Sequence, residues 1–317
     1  LSGMGTLEHC MRWVRNIVAH SKGGHIQPVY GIGLEADLTE DLAPNLPGFR
    51  DSGPVRRGNQ AAEHVQHDVY GQVVLGVAQS FFDHRLLAQP GIAEFEQLEP
   101  VGERAFAVYD TPDAGIWEFR TIAHVHTSSA IMCWAACDRL SRIAVRLELD
   151  NRAAYWRERA DIIHATILEK AWSADVGAFT AAFGGTDLDA SVLLMAEIGF
   201  LPAGDPRYVA TVEAVDRDLR MGNHVYRYKV EDDFGKPKTA FTACTFWFID
   251  ALYRVGRVEE AREIFESVLA SRNHVGLLSE DVDPETGELW GNFPQTYCMV
   301  GIINSAALLS KPWAAVT

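Results

Sequence analysis

Apolar side chains recur along this chain at intervals of three and four, in blocks of roughly 12 to 22 residues set apart by Gly, Pro and Asp clusters. That spacing predicts helices. About ten blocks fall near 4–20, 60–84, 91–109, 127–147, 150–171, 187–199, 205–220, 239–254, 257–272 and 294–310, with ends defined to within a few residues. Start signals support several of them, such as Asp205-Pro206 before the seventh block and Asn292-Phe293-Pro294 before the last. Strand-like alternation is confined to Val225-Tyr226-Arg227-Tyr228-Lys229-Val230.

Two stretches are apolar over more than one face, Ala130-Ile131-Met132-Cys133-Trp134-Ala135-Ala136 and Ala243-Cys244-Thr245-Phe246-Trp247-Phe248-Ile249, and helices of that kind are buried on most sides. Others, at 152–170 and 257–272, alternate an apolar stripe with charge and leave one side to water. Enclosed inner helices alternating with amphipathic outer ones describe an all-α, two-layer toroid. A plain bundle needs fewer fully apolar helices, and a solenoid would show an internal repeat, which the chain lacks. Nothing in 1–317 reads as a linker, so one helical domain is expected.

Composition narrows the function classes. Hydrophobic residues make up 48% and aromatics 10%, with eight Trp, enough for a large core and for surfaces on which sugars stack. The net charge of −15, without any local Lys/Arg run, repels phosphate backbones and anionic lipid, so neither nucleic acid nor a membrane surface is an expected partner. No apolar stretch approaches the roughly 20 residues that span a bilayer. The start Leu1-Ser2-Gly3-Met4 lacks the layout of a secretion signal. Five cysteines, Cys10, Cys133, Cys137, Cys244 and Cys298, are odd in number and sit mostly in apolar helical surroundings; buried thiols in a reducing, cytoplasmic compartment are expected.

Two acidic segments carry candidate chemistry. In Thr111-Pro112-Asp113-Ala114-Gly115-Ile116-Trp117-Glu118-Phe119-Arg120 a turn leads to a carboxylate framed by aromatic side chains. A glutamate pressed against rings loses hydration and holds its proton longer, which suits a general acid. The plainer alternative is a surface glutamate paired with Arg120. The second segment, 276–295, is long and acidic and ends in aromatics; Glu280 in a wet loop suits a base that takes a proton from water. The plainer alternatives there are a solvated loop or a weak calcium site of Asp281, Asp283 and Glu285, whose spacing is not that of a calcium-binding hand. One carboxyl that protonates a leaving oxygen and one that acts as base or nucleophile are the minimal apparatus of glycoside hydrolysis.

These segments and several others, in order, resemble glycoside hydrolase family 15, the family of glucoamylases and of some bacterial trehalases and glucodextranases. The matching strings are Gln27-Pro28-Val29-Tyr30-Gly31, Ser52-Gly53-Pro54-Val55-Arg56-Arg57-Gly58-Asn59, Gln66-His67-Asp68-Val69-Tyr70-Gly71, Asp113-Ala114-Gly115-Ile116-Trp117-Glu118, Leu188-Asp189-Ala190-Ser191, and 276–280 followed by Gly291-Asn292-Phe293-Pro294-Gln295. The resemblance implies an (α/α)6 barrel and inverting hydrolysis of terminal α-linked glucose, glucoamylase-like, with trehalose as the alternative substrate. It makes Glu118 the acid and Glu280 the base, gives Arg227 contacts to glucose hydroxyls, Trp117 and Trp290 stacking roles, and Asp68 and Tyr297 places in the pocket. It implies an oligosaccharide or disaccharide substrate, no cofactor and no metal.

The departures matter too. No Trp-Leu-Arg-Asp string, which in such proteins grips the glucose, occurs here, and ten blocks are two short of the twelve helices of the barrel. A chain that begins partway into the barrel is therefore expected, and a non-catalytic carbohydrate-sensing module is the competing reading from another class. His64 with His67 and His124 with His126 have no third ligand at clear spacing, so structural or sugar-contacting roles are expected of them. Gly31-Ile32-Gly33 lacks the rest of a dinucleotide fingerprint.

Overall fold

The computed structural model describes residues 3–21, 24–86 and 89–310, so Leu1 and Ser2 at the start of the chain lie outside the described residues. Nine α-helices are described: α1 (Met4–Ser21), α2 (Asp68–Ala78), α3 (Ile92–Val108), α4 (Thr127–Arg146), α5 (Asp150–Lys170), α6 (Pro206–Leu219), α7 (Thr242–Arg254), α8 (Val258–Ala270) and α9 (Thr296–Leu309). Each coincides with one of the apolar blocks. Two blocks are altered. The 60–84 block becomes a 3-10 turn at Gln60–Glu63, then α2, then a 3-10 turn at Gln79–Phe81, and the 187–199 block holds only the 3-10 helix Ala190–Met195. The expected strand over 225–230 shrinks to His224–Val225, paired with Arg220–Met221. Tyr226 and Tyr228, which produced the alternation, are both buried in a non-strand segment.

The chain divides into two compact units, Leu1–Thr166 and Ile167–Thr317. In the first, α4 is the most deeply enclosed element, buried from Thr127 through Asp138 without a break. It lies against α2 and α3. Small residues permit the contact: a Cβ on Gly71 would stand 2.2 Å from the Met132 carbonyl oxygen, so α2 and α4 touch backbone to backbone. On the other side, Gly102 of α3 leaves room for Leu140 and for the ring of Trp156. Trp156 is fully buried, and its indole N–H donates to Glu99 at 2.8 Å, so its one polar atom is satisfied. Each buried Ile or Leu of α4, such as Ile131, Leu140 and Ile143, contributes about 1.5–3 kcal/mol.

The second unit repeats the plan around α7, buried at every position from Thr242 to Phe246 and packed against α8, α9 and the Ala190–Met195 turn. Helix starts are capped by side chains. Asp205 accepts the Arg207 N–H at 2.9 Å with Pro206 in the first turn, and Asp189 accepts the Ser191 N–H at 2.7 Å. A short antiparallel sheet joins Ala240–Phe241, Asp281–Val282 and Leu289–Trp290, with Asp281 opposite both Phe241 and Trp290. None of the described helices is long and apolar enough to cross a membrane.

The α2–α4 approach is open to test. Alanine is worth about 1 kcal/mol more than glycine inside a helix, but here its methyl group meets a carbonyl that cannot swing aside. Gly71→Ala is therefore expected to lower stability by about 1–3 kcal/mol in urea denaturation, and a gain in stability would refute the backbone contact.

Candidate active site

The acid-bearing segment is a loop between α3 and α4, held from three directions. Its start is tied by Asp113, whose backbone exchanges hydrogen bonds with His124 at 2.9 and 3.2 Å. The Asp113 carboxylate accepts the His67 N–H and the Ser129 hydroxyl, both at 2.7 Å, from the residue before α2 and the first turn of α4. The Ala114 N–H reaches Val65 at 2.9 Å, and the Gly115 carbonyl accepts the Gln66 side-chain amide.

The tip is then closed by two nested bonds, Glu118 N–H to Gly115 C=O at 3.2 Å and Phe119 N–H to Ala114 C=O at 3.1 Å. This pattern needs a left-handed residue at its penultimate position, and Glu118 supplies it with φ of 60°. A non-glycine residue held there costs about 1–3 kcal/mol, strain that concentrates at functional sites. Gly115, at φ 66°, leaves the space that His126 fills, since a Cβ there would stand 2.8 Å from the imidazole. His126 also stacks on Phe119, with ring centroids 5.7 Å apart.

The sequence places Glu118 against aromatic rings, and the structure corrects this. Glu118 is exposed, while Trp117 and Phe119 beside it are half-buried. Phe119 rests on the His126 ring, while Glu118 occupies the left-handed position of the turn as an exposed residue. The desolvated carboxyl of this region is instead Asp68, at the start of α2 and 7% exposed. Burial, reinforced by the neighbouring charges of Asp113 and Glu118, pushes its pKa up to about 7. Burial also raises Asp113, against the hydrogen bonds from His67 and Ser129, and burial lowers His126. The Asp113 charge thus adds to burial in disfavouring the ionised form of Asp68.

Glu280 is fixed by main chain. Its N–H donates to the Asn292 carbonyl at 2.9 Å, and its carboxylate accepts the Asn292 N–H at 3.0 Å. The Glu280 carbonyl takes the N–H of Thr242, the first residue of α7, at 2.9 Å. Gly291, at φ 77°, is required because a Cβ there would come within 2.9 Å of the Glu280 carboxylate. Below it, Cys298 in the first turn of α9 donates its thiol to the Ser279 carbonyl at 3.2 Å. The next residue, Asp281, accepts the Thr239 hydroxyl at 2.9 Å. Burial pushes the Asp281 pKa up to about 6, opposed by Arg227 and the Thr239 hydroxyl and reinforced by Glu280.

In the first unit the structure gathers Glu118, Trp117 and Asp68. In the second it gathers Glu280, Arg227 and Trp290, with Arg227 5.2 Å over the Phe241 ring and Trp290 paired across from Asp281. Tyr297 stands in the first turn of α9, 70% exposed, its N–H capped by Gln295. Sequence reasoning gave no role to Asp113 or Asn292, expected only a structural or sugar-contacting part of His126, and weighed Asp281 only as a calcium ligand. The one local signal for the first was an aspartate ahead of a glycine in the turn leading to Glu118. Among the described residues no group of three or more His, Cys, Asp or Glu is placed to hold a metal ion.

The same arrangement of helices is found in solved carbohydrate-active proteins. A glycosidase variant in complex with glucose matches 97% of this chain and 83% of its own, with TM-score 0.73 and 17% identity. A bacterial glucoamylase complexed with acarbose matches 77% of this chain and 41% of its own, with TM-score 0.63 and 16% identity. The fold is thus the all-α, (α/α)6 type of the glucoamylases.

The chain belongs to glycosyl hydrolases family 15, whose family model matches residues 6–307. Similar curated proteins include trehalases of Thermoplasma volcanium, 32% identical over 92% of this chain, Mycolicibacterium smegmatis, 36% over 88%, and Mycobacterium tuberculosis, 37% over 88%. The chain spans less than half the length of these relatives, 46%, 42% and 41% respectively.

Asp68 predicts a pH dependence of stability. Its folded pKa of about 7 lies above the ordinary carboxylate value of 3.8, so between those values the folded protein binds more protons than the unfolded chain. Stability due to this group is then full below about pH 4 and declines as pH rises towards 7. Asp68→Asn is expected to flatten that decline in melting curves taken from pH 4 to 7.5. An unchanged slope would remove Asp68 as its source.

Proposed function

We propose that the protein hydrolyses trehalose with inversion, Glu118 acting as general acid and Glu280 as general base. The observation that carries the choice of sugar is the identity of 32 to 37% to proteins named trehalase, over about nine-tenths of this chain. The likeness to glucoamylases, at 16% and 11% identity, extends to the fold alone. The glucoamylase-like reading drawn from the motifs thus yields to its trehalase alternative, within the same family and with the same acid and base.

In this reaction a water oxygen bonds to the anomeric carbon while the bond from that carbon to the bridging oxygen breaks. The water's proton passes to Glu280, and Glu118 gives its proton to the departing oxygen. Both steps use protein carboxyls, so the chemistry calls for neither metal nor cofactor. The hydrogen bond from Asn292 to the Glu280 carboxylate supports its part as base, because it holds one carboxylate oxygen in a defined place. The strained turn supports Glu118, since a left-handed glutamate is kept where the position of its carboxyl matters. Arg227 and Trp290 serve glucose hydroxyls and a sugar face, Trp117 offers a second stacking surface, and Asp68 and Tyr297 complete the polar lining. The buried free thiols Cys133, Cys137, Cys244 and Cys298 support a reducing, cytoplasmic setting.

Trehalose and maltotriose incubated with the intact protein and followed by proton NMR decide the reading. Inversion of trehalose releases α- and β-glucose in equal amounts before mutarotation, whereas retention releases α-glucose alone; turnover of maltotriose but not trehalose would restore the glucoamylase-like reading. Glu118→Gln is expected to cut the rate on trehalose by about 10²–10⁴-fold while sparing α-glucosyl fluoride, whose leaving group needs no proton. Glu280→Gln should abolish both. Equal losses in the two variants on both substrates would undo the assignment of acid and base, and an absence of turnover with sugar binding retained would favour a carbohydrate sensor.

A further inference from the structure

Asp113 is buried, carries no exposed surface for a substrate, and yet commits its carboxylate to groups from two separate helix starts. One oxygen accepts both the His67 N–H, at 2.7 Å, and the Ser129 hydroxyl, at 2.7 Å. The other oxygen makes no close hydrogen bond among the described residues, while the Gly115 main chain also acts to hold down the pKa of the carboxyl. A buried carboxylate in that state is costly unless its position is worth something, because each missing partner costs about 1–3 kcal/mol. A neutral side chain of similar shape would fill this space at less cost in desolvation.

What Asp113 holds is the acid loop. It lies five residues before Glu118, and its own main chain is the edge by which the loop is bonded to His124. Beyond it the loop closes around the His126 ring, which fills the space at Gly115 and stacks on Phe119, so the segment on either side of Glu118 rests on one rigid surface. The loop is therefore located relative to α2 and α4 by this carboxylate at one end and by His126 underneath. Glu118, exposed and strained at the tip, takes its position from that frame.

We propose that Asp113 is a positioning residue of the proposed hydrolytic reaction: it ties the loop that carries Glu118 to the residue before α2 and to the first turn of α4, and so sets where the acid presents its proton. The inference rests on the reading of Glu118 as general acid. A misplacement of about 1 Å at a reacting group costs on the order of 10²-fold in rate, so loosening this tie should impair protonation of the leaving oxygen and little else.

The test compares trehalose with α-glucosyl fluoride in the intact protein carrying Asp113→Asn, Ser129→Ala or Glu118→Gln. Asp113→Asn is expected to lower kcat on trehalose by about 10- to 100-fold, leave KM within about twofold, and change kcat on the fluoride by less than about threefold. Ser129→Ala, which removes one donor and keeps the carboxylate, should show a smaller loss with the same substrate dependence. Equal losses on both substrates, or none on either, would overturn the positioning role and leave Asp113 a structural residue. Where Asp113→Asn yields no folded protein, Ser129→Ala decides by the same criterion. If Glu118→Gln itself fails to distinguish the two substrates, the acid assignment is what falls.

Discussion

The first turns of buried helices carry N–H groups that no helical carbonyl can reach, and in this protein those turns are where the candidate acids are fastened. α7 begins with Thr242, whose N–H finds the carbonyl of Glu280. α2 begins just after His67, whose N–H finds Asp113, and the first turn of α4 adds the Ser129 hydroxyl to the same carboxylate. Leaving such groups unpaired in an apolar interior is expensive, so the loops that satisfy them are bound to the core by the same need that stabilises the helices. The polar site and the apolar core are in this sense one structure.

That coupling explains how the two loop glutamates keep defined positions. Glu118 is exposed and Glu280 half-buried, and such a side chain on an ordinary loop would wander. Glu118 is held by a left-handed turn closed by two main-chain bonds, and Glu280 by reciprocal bonds with Asn292. Glycines make both possible, Gly115 by admitting the His126 ring and Gly291 by admitting the Glu280 carboxylate. Beside each glutamate in its unit stands an aspartate with a raised pKa, the buried Asp68 in the first and the half-buried Asp281 in the second. Burial is the larger cause in both, and the charge of the neighbouring glutamate adds to it.

Much of the fold was legible in the chain because helix formation is read locally. The spacing of Phe95, Leu98, Val101, Gly102, Ala105 and Val108 marks the buried face of α3 before any neighbour is known, and those are the residues found buried. The shortened Ala190–Met195 helix was overestimated because Val192, Leu193 and Met195 are buried by their surroundings, and an apolar run looks helical whether or not the backbone completes its turns. Val225 to Tyr228 erred in the other direction, since the buried tyrosines imitate a strand while the backbone pairs only at its start, at Val225 and Tyr226, before leaving the ladder.

The sequence by itself determined the class of fold, the nine helical segments and the two acidic loops with their glutamates, because periodicity, caps and turn residues act over a few positions. Only the tertiary structure decided the environment of those glutamates. That Glu118 is exposed while Asp68 is buried, that Asp113 serves two helix starts at once, and that Asn292 holds Glu280 all depend on contacts between residues 12 to 46 positions apart. Hydration and hydrogen bonding are set by what lies nearby in space, and no local pattern of residue types specifies that.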